Sequence, residues 1–333
     1  MKKTSFALIG AGKMGTRWAG VISKYAGTEL VAIVNPDLKK AQELAEKTPH
    51  CTATSDIKDV LKNKEIDAVL IATTHNYLSP ITSSALTAGK HVLCEKPGAI
   101  KSEQIKKNIE LSKRMGLVYK IGYNYRFHDG FIKARQFYKK GYIGKILFVR
   151  ARHGFGGRAG YNKEWRLDKK IGGGGHLHDQ GVHLIDMARS FIGKVEKVRG
   201  FMADSYWKAG TEDNAFVLLQ GENNVIASIH SSLTQWKRLH SFEIYGTKGY
   251  LSVEGLGMRY GDGEKLIVGR RTKNPDTVKE KIIICNPIAD NSLVYELKEF
   301  VSAVKHGTPL DPTPLDGYET LKIVEEVYKT NKL

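Results

Sequence analysis

The feature that most restricts how this chain can fold is a glycine run near its start, together with the apolar segments that follow it. In FALIGAGKMG, Gly10, Gly12 and Gly15 have G-x-G-x-x-G spacing, enclose Lys13 and Met14, and directly follow an apolar run at 6–10. Glycines so spaced give a tight turn, close backbone approach to a ligand, and close packing of a helix on its strand. The segment 13–25 reads as that helix, and its N-terminus offers N–H groups and a positive dipole end to a diphosphate. Apolar runs at 30–34, 67–73, 91–96 and 118–123 alternate with helical stretches at 38–46, 80–88 and 102–115, the last with Ser102 as its expected N-cap. Strand and helix in strict turn predict a doubly wound parallel sheet, the setting in which such a motif marks a dinucleotide site.

After about Gly122 the texture changes. A helix near 129–140 leads into runs of period-two alternation at 146–153, 195–203, 214–220, 225–233, 240–246 and 249–255, with turn signals GENN and GTKG between some of them. Helical spacing returns around 182–192, 293–305 and 317–330. The expected fold class is α/β plus α+β: an N-terminal Rossmann-type parallel sheet over 1–122, and a domain over 123–333 with a large, mostly antiparallel sheet covered by helices on one face. The other face of that sheet, free of helices, predicts a homodimer or homotetramer. A chain of 333 residues is long enough for two such cores, and no repeat or linker separates them.

Composition narrows the class further. No apolar run reaches the roughly 20 residues of a membrane span, and the short run after Lys2 and Lys3 leads into the glycine motif rather than a signal-peptide cleavage site. Cys51, Cys94 and Cys285 are few and far apart, which fits reduced thiols in a cytoplasm better than a disulfide framework. Lys and Arg number 52 against 35 Asp and Glu, a net charge of +17. These cations are dispersed and not interleaved with aromatics, so a solvated basic surface and an anionic small-molecule substrate are expected rather than nucleic-acid binding.

The second strand should end in an acid for the adenosine ribose. Here it ends VAIVNPD, and Asn35 occupies that place. Asn still bonds ribose hydroxyls without repelling a 2′-phosphate, and Lys39 and Lys40 follow as exposed helix positions or phosphate partners. NAD, with NADP as the other option, is the expected cofactor.

With that site placed, HVLCEKPGAI becomes informative. Together with GYNYRFHDGFIKARQF (122–137), GYIGKI (141–146) and DQGVHLID (179–186), it resembles the Gfo/Idh/MocA family of NAD(P)-dependent oxidoreductases over nearly the full chain. The resemblance implies a catalytic set of Lys96, Asp179 and His183. Histidine can take a hydroxyl proton near neutral pH, a lysine ammonium stabilises developing alkoxide, and Asp179 orients the hydroxyl or the imidazole. It also implies a cofactor boundary at Glu95, Lys96 and Asn124, a cis peptide before Pro97, and Arg126 beside the substrate. The plainer readings are a strand-end lysine, a core histidine, a helix-capping Asp and a structural salt bridge at Arg126. Relatives often carry TPNxxH after the fourth strand. Thr73, Thr74 and His75 pass the nicotinamide here in altered form, and Leu78 replaces the later His.

The segment GFGGRAGYNKEWRLDKKIGGGGHLHDQGVH (154–183) carries the substrate signals. Arg152, Arg158, Tyr161, Trp165, Arg166 and His178 suit a sugar face and an anionic substituent, and the glycines are expected to let backbone approach the pocket. A zinc site at His176, His178 and His183 is the reading set aside, so no metal is expected. The expected reaction is hydride transfer between nicotinamide C4 and a ring alcohol or ketone of a sugar, sugar phosphate or nucleotide sugar. NAD-dependent glycoside cleavage by redox and elimination, or a non-enzymatic dinucleotide sensor, are the alternatives.

Overall fold

Strand β1 (Thr4–Ile9) is buried along its whole length, as a parallel strand covered on both faces must be. The computed structural model describes residues 2–257, 260–274, 277–285 and 289–331. After β1 come α1 (Lys13–Lys24), β2 (Thr28–Val34), α2 (Leu38–Ala45), β3 (Thr52–Thr54), α3 (Ile57–Lys62), β4 (Ala68–Ile71), α4 (His75–Thr87), β5 (His91–Glu95), α5 (Ser102–Met115) and β6 (Tyr119–Gly122). The six strands pair in parallel in the order β3-β2-β1-β4-β5-β6, so the order reverses between β1 and β4. This is the doubly wound sheet expected from the alternation.

Three local expectations need correction. Strand β3 has three residues and helix α3 six, too short for either to establish a period in the sequence pattern. Helix α4 starts at His75, before the expected 80, because Pro80 reads as a first-turn residue whereas the extended backbone of Thr74 is the true entry. Ser102 is the first helical residue of α5; Lys101 holds the cap position, and its N–H donates to Gln104 Oε1 at 3.1 Å.

The following elements are α6 (Asp129–Lys139), β7 (Ile146–Gly154), α7 (Lys169–Gly172), a π-helical turn (Leu177–Gly181), α8 (Val182–Ile192), β8 (Val195–Ala203), β9 (Asn214–Gly221), β10 (Ile226–Ser232), β11 (Leu239–Gly246), β12 (Gly249–Leu256), β13 (Tyr260–Arg271), β14 (Val278–Cys285), α9 (Ser292–His306) and α10 (Pro314–Thr330). Eight strands form one sheet, β14-β13-β12-β11-β7-β10-β9-β8. Every pair in it is antiparallel except β7 with β10. Strands β13 and β14 extend the sheet beyond the runs read from sequence.

The chain divides into two compact units, Met1–Tyr123 with Leu293–Glu319, and Asn124–Ser292 with Thr320–Leu333. The chain therefore returns to the first unit late, a return that a simple division at 122 does not include. The reason is apolar: Leu293, Leu297, Phe300 and Val301 of α9 join the core of Phe6, Leu8, Leu30 and Ile33, with the Phe6 and Phe300 rings 5.9 Å apart.

In the second unit, strand alternation sorts the two faces of the sheet. Val149, Ala151 and His153 of β7 are buried on one side, where α8 packs. On the other side Phe148, Phe201, Phe216, Leu218, Ile282 and Ile284 remain exposed. There Phe148, Tyr245 and Tyr250 stack in a row across three strands, at 4.7 and 5.1 Å, and Phe216 stacks on His230 at 4.0 Å.

Candidate active site

The glycine motif in the first unit is shaped as its sequence suggested. Gly10 has φ +107°, and a Cβ on it would meet the Ala72 carbonyl; a Cβ on Gly15 would overlap the Gly10 carbonyl. Gly12 precedes α1 with open space where a Cβ would stand, and this helix start has neither a side-chain cap nor an acid in its first turn. With Lys13 and Met14 in that first turn, the arrangement suits a diphosphate, which takes N–H groups and dipole together.

Asn35 does more than replace an acid. Its Oδ1 accepts from Ala11 N at 3.1 Å and its Nδ2 donates to the Asp37 carbonyl at 3.0 Å, so the side chain ties the end of β2 to the glycine turn. Lys40 pairs with Asp37 at 3.1 Å and holds that carboxyl below its usual range. Thr73, Thr74 and His75 form the entry to α4: Thr74 Oγ1 contacts Asn76 Oδ1 at 2.7 Å, and His75 is buried.

At the end of β5, Glu95 accepts from Trp18 Nε1 at 2.7 Å, and burial pushes its carboxyl pKa up. Trp18 lies in α1 and is buried in the same core, so one hydrogen bond links the dinucleotide helix to the residue before Lys96. The Lys96–Pro97 peptide is cis. Sequence reasoning did not single out Trp18, because an aromatic at a helical core position gives no sign of what its N–H will meet.

In the second unit, the histidine-bearing segment is fixed by a residue far along the chain. Glu212 is buried; its carboxylate accepts from Gly175 N at 3.0–3.1 Å, Leu177 N at 3.0 Å and the Tyr328 hydroxyl at 2.7 Å. Its carbonyl also accepts from His176 N at 2.9 Å. Burial pushes the carboxyl pKa up against these bonds. A Cβ on Gly174 would overlap the Tyr328 hydroxyl, and one on Gly175 would overlap the Glu212 backbone. These two glycines therefore make room for Glu212 and Tyr328, a correction to the expectation that they serve a ligand.

The chain then enters the π-helical turn, a form of helix that recurs at functional sites. Asp179 lies in this turn and His183 one turn further on in α8, both buried. Asp179 Oδ2 accepts from Gln180 Nε2 at 3.0 Å, and Arg166 Nε stands 3.6 Å from it. The His183 ring lies flat on Tyr125, with centroids 3.9 Å apart and planes 7° apart. Tyr125 also touches His153 and His240, whose Nδ1 atoms are 3.2 Å apart, so one ring donates and the other accepts. Burial drives His240 down to about 3 and His153 well below its ordinary value, so both are neutral at working pH. His176 lies beside them, its ring 6.4 Å from His153, and His178 is buried in the π-helical turn.

The expected substrate residues separate into two groups. Tyr161, Trp165, Arg158 and Arg166 gather near Asp179: Arg166 stacks over Trp165 at 4.5 Å, Arg158 lies 5.3 Å from the Tyr161 ring, and both arginines pair with Glu164. Arg126 and Arg152 are elsewhere. Arg126 is buried in a two-pronged pair with Asp186, at 2.8 and 2.6 Å, the structural salt bridge that its sequence position left open. Arg152 projects from the exposed face of the sheet toward Glu243, opposite the face that carries His153, because neighbouring strand residues alternate. Asn124 donates to Ser292 Oγ at 3.0 Å. Among the described residues, no group of three or more His, Cys, Asp or Glu is placed to hold a metal ion.

A Rossmann sheet with an open helix start at its glycine turn defines the class of dinucleotide-binding proteins. Residues 4–123 match the oxidoreductase family with an NAD-binding Rossmann fold, and 131–252 match the Gfo/Idh/MocA C-terminal domain. The chain belongs to the Gfo/Idh/MocA family, and it is an oxidoreductase that uses NAD or NADP. It is 25% identical to the levoglucosan dehydrogenase of Pseudarthrobacter phenanthrenivorans, over 91% of this chain and 87% of that one. It is 26% identical to the myo-inositol 2-dehydrogenase of Thermotoga maritima, over 93% and 91% of the two chains. A solved levoglucosan dehydrogenase in complex with NADH and levoglucosan shares the fold, with a TM-score of 0.87 at 24% identity over 98% of each chain.

Two outcomes follow from this geometry. Glu212→Ala leaves two backbone N–H groups and a hydroxyl without their buried acceptor, and should cost about 3 kcal/mol or more in urea unfolding. Histidines held neutral in the fold but free to protonate when unfolded give full stability above pH 6.5 and lose it as pH falls toward 3. His240 alone should contribute a loss of about 2–3 kcal/mol by pH 4.5, and the unfolding midpoint of His240→Phe should depend less on pH over that range.

Proposed function

We propose that this enzyme moves hydride between the nicotinamide of NAD(P) and a ring secondary alcohol or ketone of a sugar, sugar phosphate or nucleotide sugar. When bound, the nicotinamide supplies the hydride chemistry. Gly10, Gly12, Lys13, Met14 and Gly15 hold the diphosphate, Asn35 meets the adenosine ribose, and Thr73, Thr74, His75, Glu95 and Asn124 belong to the nicotinamide side.

The observation that carries the reading is the Asp179–His183 turn. A buried imidazole is held flat against Tyr125, and a buried carboxylate beside it is flanked by Arg166. His183 takes the hydroxyl proton during oxidation and returns it during reduction. Asp179 orients the hydroxyl or the imidazole, and the Lys96 ammonium stabilises negative charge on the reacting oxygen. Tyr161, Trp165, Arg158, Arg166 and His178 supply the stacking surface and cationic groups for a sugar. The named relatives, dehydrogenases of levoglucosan and myo-inositol, support a polyhydroxylated ring as substrate. Asn35, already bonded to the glycine turn and carrying no charge, is compatible with either dinucleotide. Cys51, Cys94 and Cys285 are all free thiols, which supports a cytoplasmic setting, and among the described residues no helix is long and apolar enough to cross a membrane.

The exposed sheet face supports a homodimer or homotetramer, because an aromatic and aliphatic surface of this extent marks an interface in a soluble protein. Light scattering should give a dimer or tetramer, and Phe201→Glu with Leu218→Glu should shift it toward monomer. A monomeric wild type would refute that assembly.

For the reaction, Lys96→Ala and His183→Ala should each lower kcat/KM by about 100-fold or more in NAD(P)H formation across a panel of cyclic polyols and sugars. Near-wild-type rates in both variants, with an authentic substrate, would overturn the assignment.

A further inference from the structure

The glycine motif lies beyond the C-terminal end of β1. At the opposite end of the same sheet, where β1, β4 and β5 begin, a cavity of about 660 Å³ is lined by Lys2, Lys3, Lys64, Lys90 and Lys305, with Asp67 as its one carboxylate among the described residues. Five lysines facing one acid make a concave, strongly positive site on the first unit.

Two of these lysines are fixed by main chain. Lys90 is buried, and its Nζ donates to the carbonyls of Asn63 at 2.5 Å and Ile66 at 2.8 Å. Lys305 Nζ donates to the carbonyls of Lys2 at 2.7 Å and Gly27 at 3.4 Å. Carbonyl oxygens satisfy the ammonium hydrogen bonds without neutralising the charge, so the field of both groups remains. The preference of cations for helix C-termini accounts for Lys305, at the end of α9. It does not account for the others. Asp67 is already engaged by Ser5 N at 2.9 Å and stands 3.8 Å from Lys2 Nζ. Lys3 and Lys64 are exposed, and neither has a carboxylate partner among the described residues.

We propose that this cavity is a second binding site, for a small polyanion of the polyphosphate type. Its volume suits a small molecule. Lys90 and Lys305 supply a fixed positive wall, and Lys3 and Lys64 supply ammonium groups that close on the ligand. The occupant bridges the N-terminal segment, the loop before β4, the turn before β5 and the end of α9, and so stabilises the folded first unit.

The test is calorimetric titration of inorganic tripolyphosphate into the full-length protein, with thermal unfolding in parallel. The expected result is one site, a rise in Tm, and affinity that falls as NaCl rises from about 50 to about 200 mM. Lys3→Gln with Lys64→Gln should weaken binding at least about tenfold, whereas Lys106→Gln with Lys113→Gln on α5 should leave it within about twofold. Four results would overturn the proposal: no binding, equal weakening by both pairs, loss of binding only when NAD+ saturates the glycine-motif site, or tighter binding of duplex DNA to the same lysines.

Discussion

Two adjacent buried carboxylates, Glu212 and Asp213, hold the second unit's working loops in place. Glu212 gathers Gly175, Leu177 and Tyr328, while Asp213 accepts from Ser205 N, Tyr206 N and Trp207 N at 3.0, 2.7 and 2.9 Å. A buried charge without such partners would be too costly to keep, so each carboxylate imposes a conformation on the segment that satisfies it. The turn bearing Asp179 and His183 begins inside the first of these clamps. Its glycines are part of the same constraint: Gly174 and Gly175 leave space that any side chain would fill.

Around that turn much of the surroundings is built from aromatic and imidazole rings. His183, Tyr125, His153 and His240 touch ring to ring, and burial keeps the last two neutral. Charge enters through the Asp179–Arg166 contact and through the buried Glu264 carboxylate bonded to His128, whose ring meets Tyr125 edge-on. The first unit uses a comparable economy, with the Trp18–Glu95 bond joining the dinucleotide helix to the segment that carries Lys96.

Local physics made much of this legible beforehand. The period-two and helical patterns located most strands and helices, because burial imposes those periods directly. The glycine spacing located the tight turn after β1 for the same reason: Gly10 and Gly15 contact backbone that only glycine can approach. Elements too short to establish a period, β3 and α3, left no such trace. Arg126 and Arg152 show a different difficulty. An arginine's composition fits a substrate anion, the buried Asp186 of the core and the Glu243 carboxylate on a neighbouring strand equally well, so only its place on a strand or in a core decides among them.

The sequence by itself determined a parallel sheet with a dinucleotide-type glycine turn and a second sheet with one face free of helices, and it supplied a short list of candidates for proton handling. Those features depend on neighbours within a few positions, or on motifs whose residue types are chemically restrictive. The tertiary structure decided that 293–319 belongs with the first unit, that the glycines at 174 and 175 accommodate Glu212 and Tyr328, and that Arg126 is held by Asp186. Each of these depends on residues far apart along the chain meeting in a desolvated interior. There an unpaired polar group is costly, and no local pattern announces which partner will relieve it.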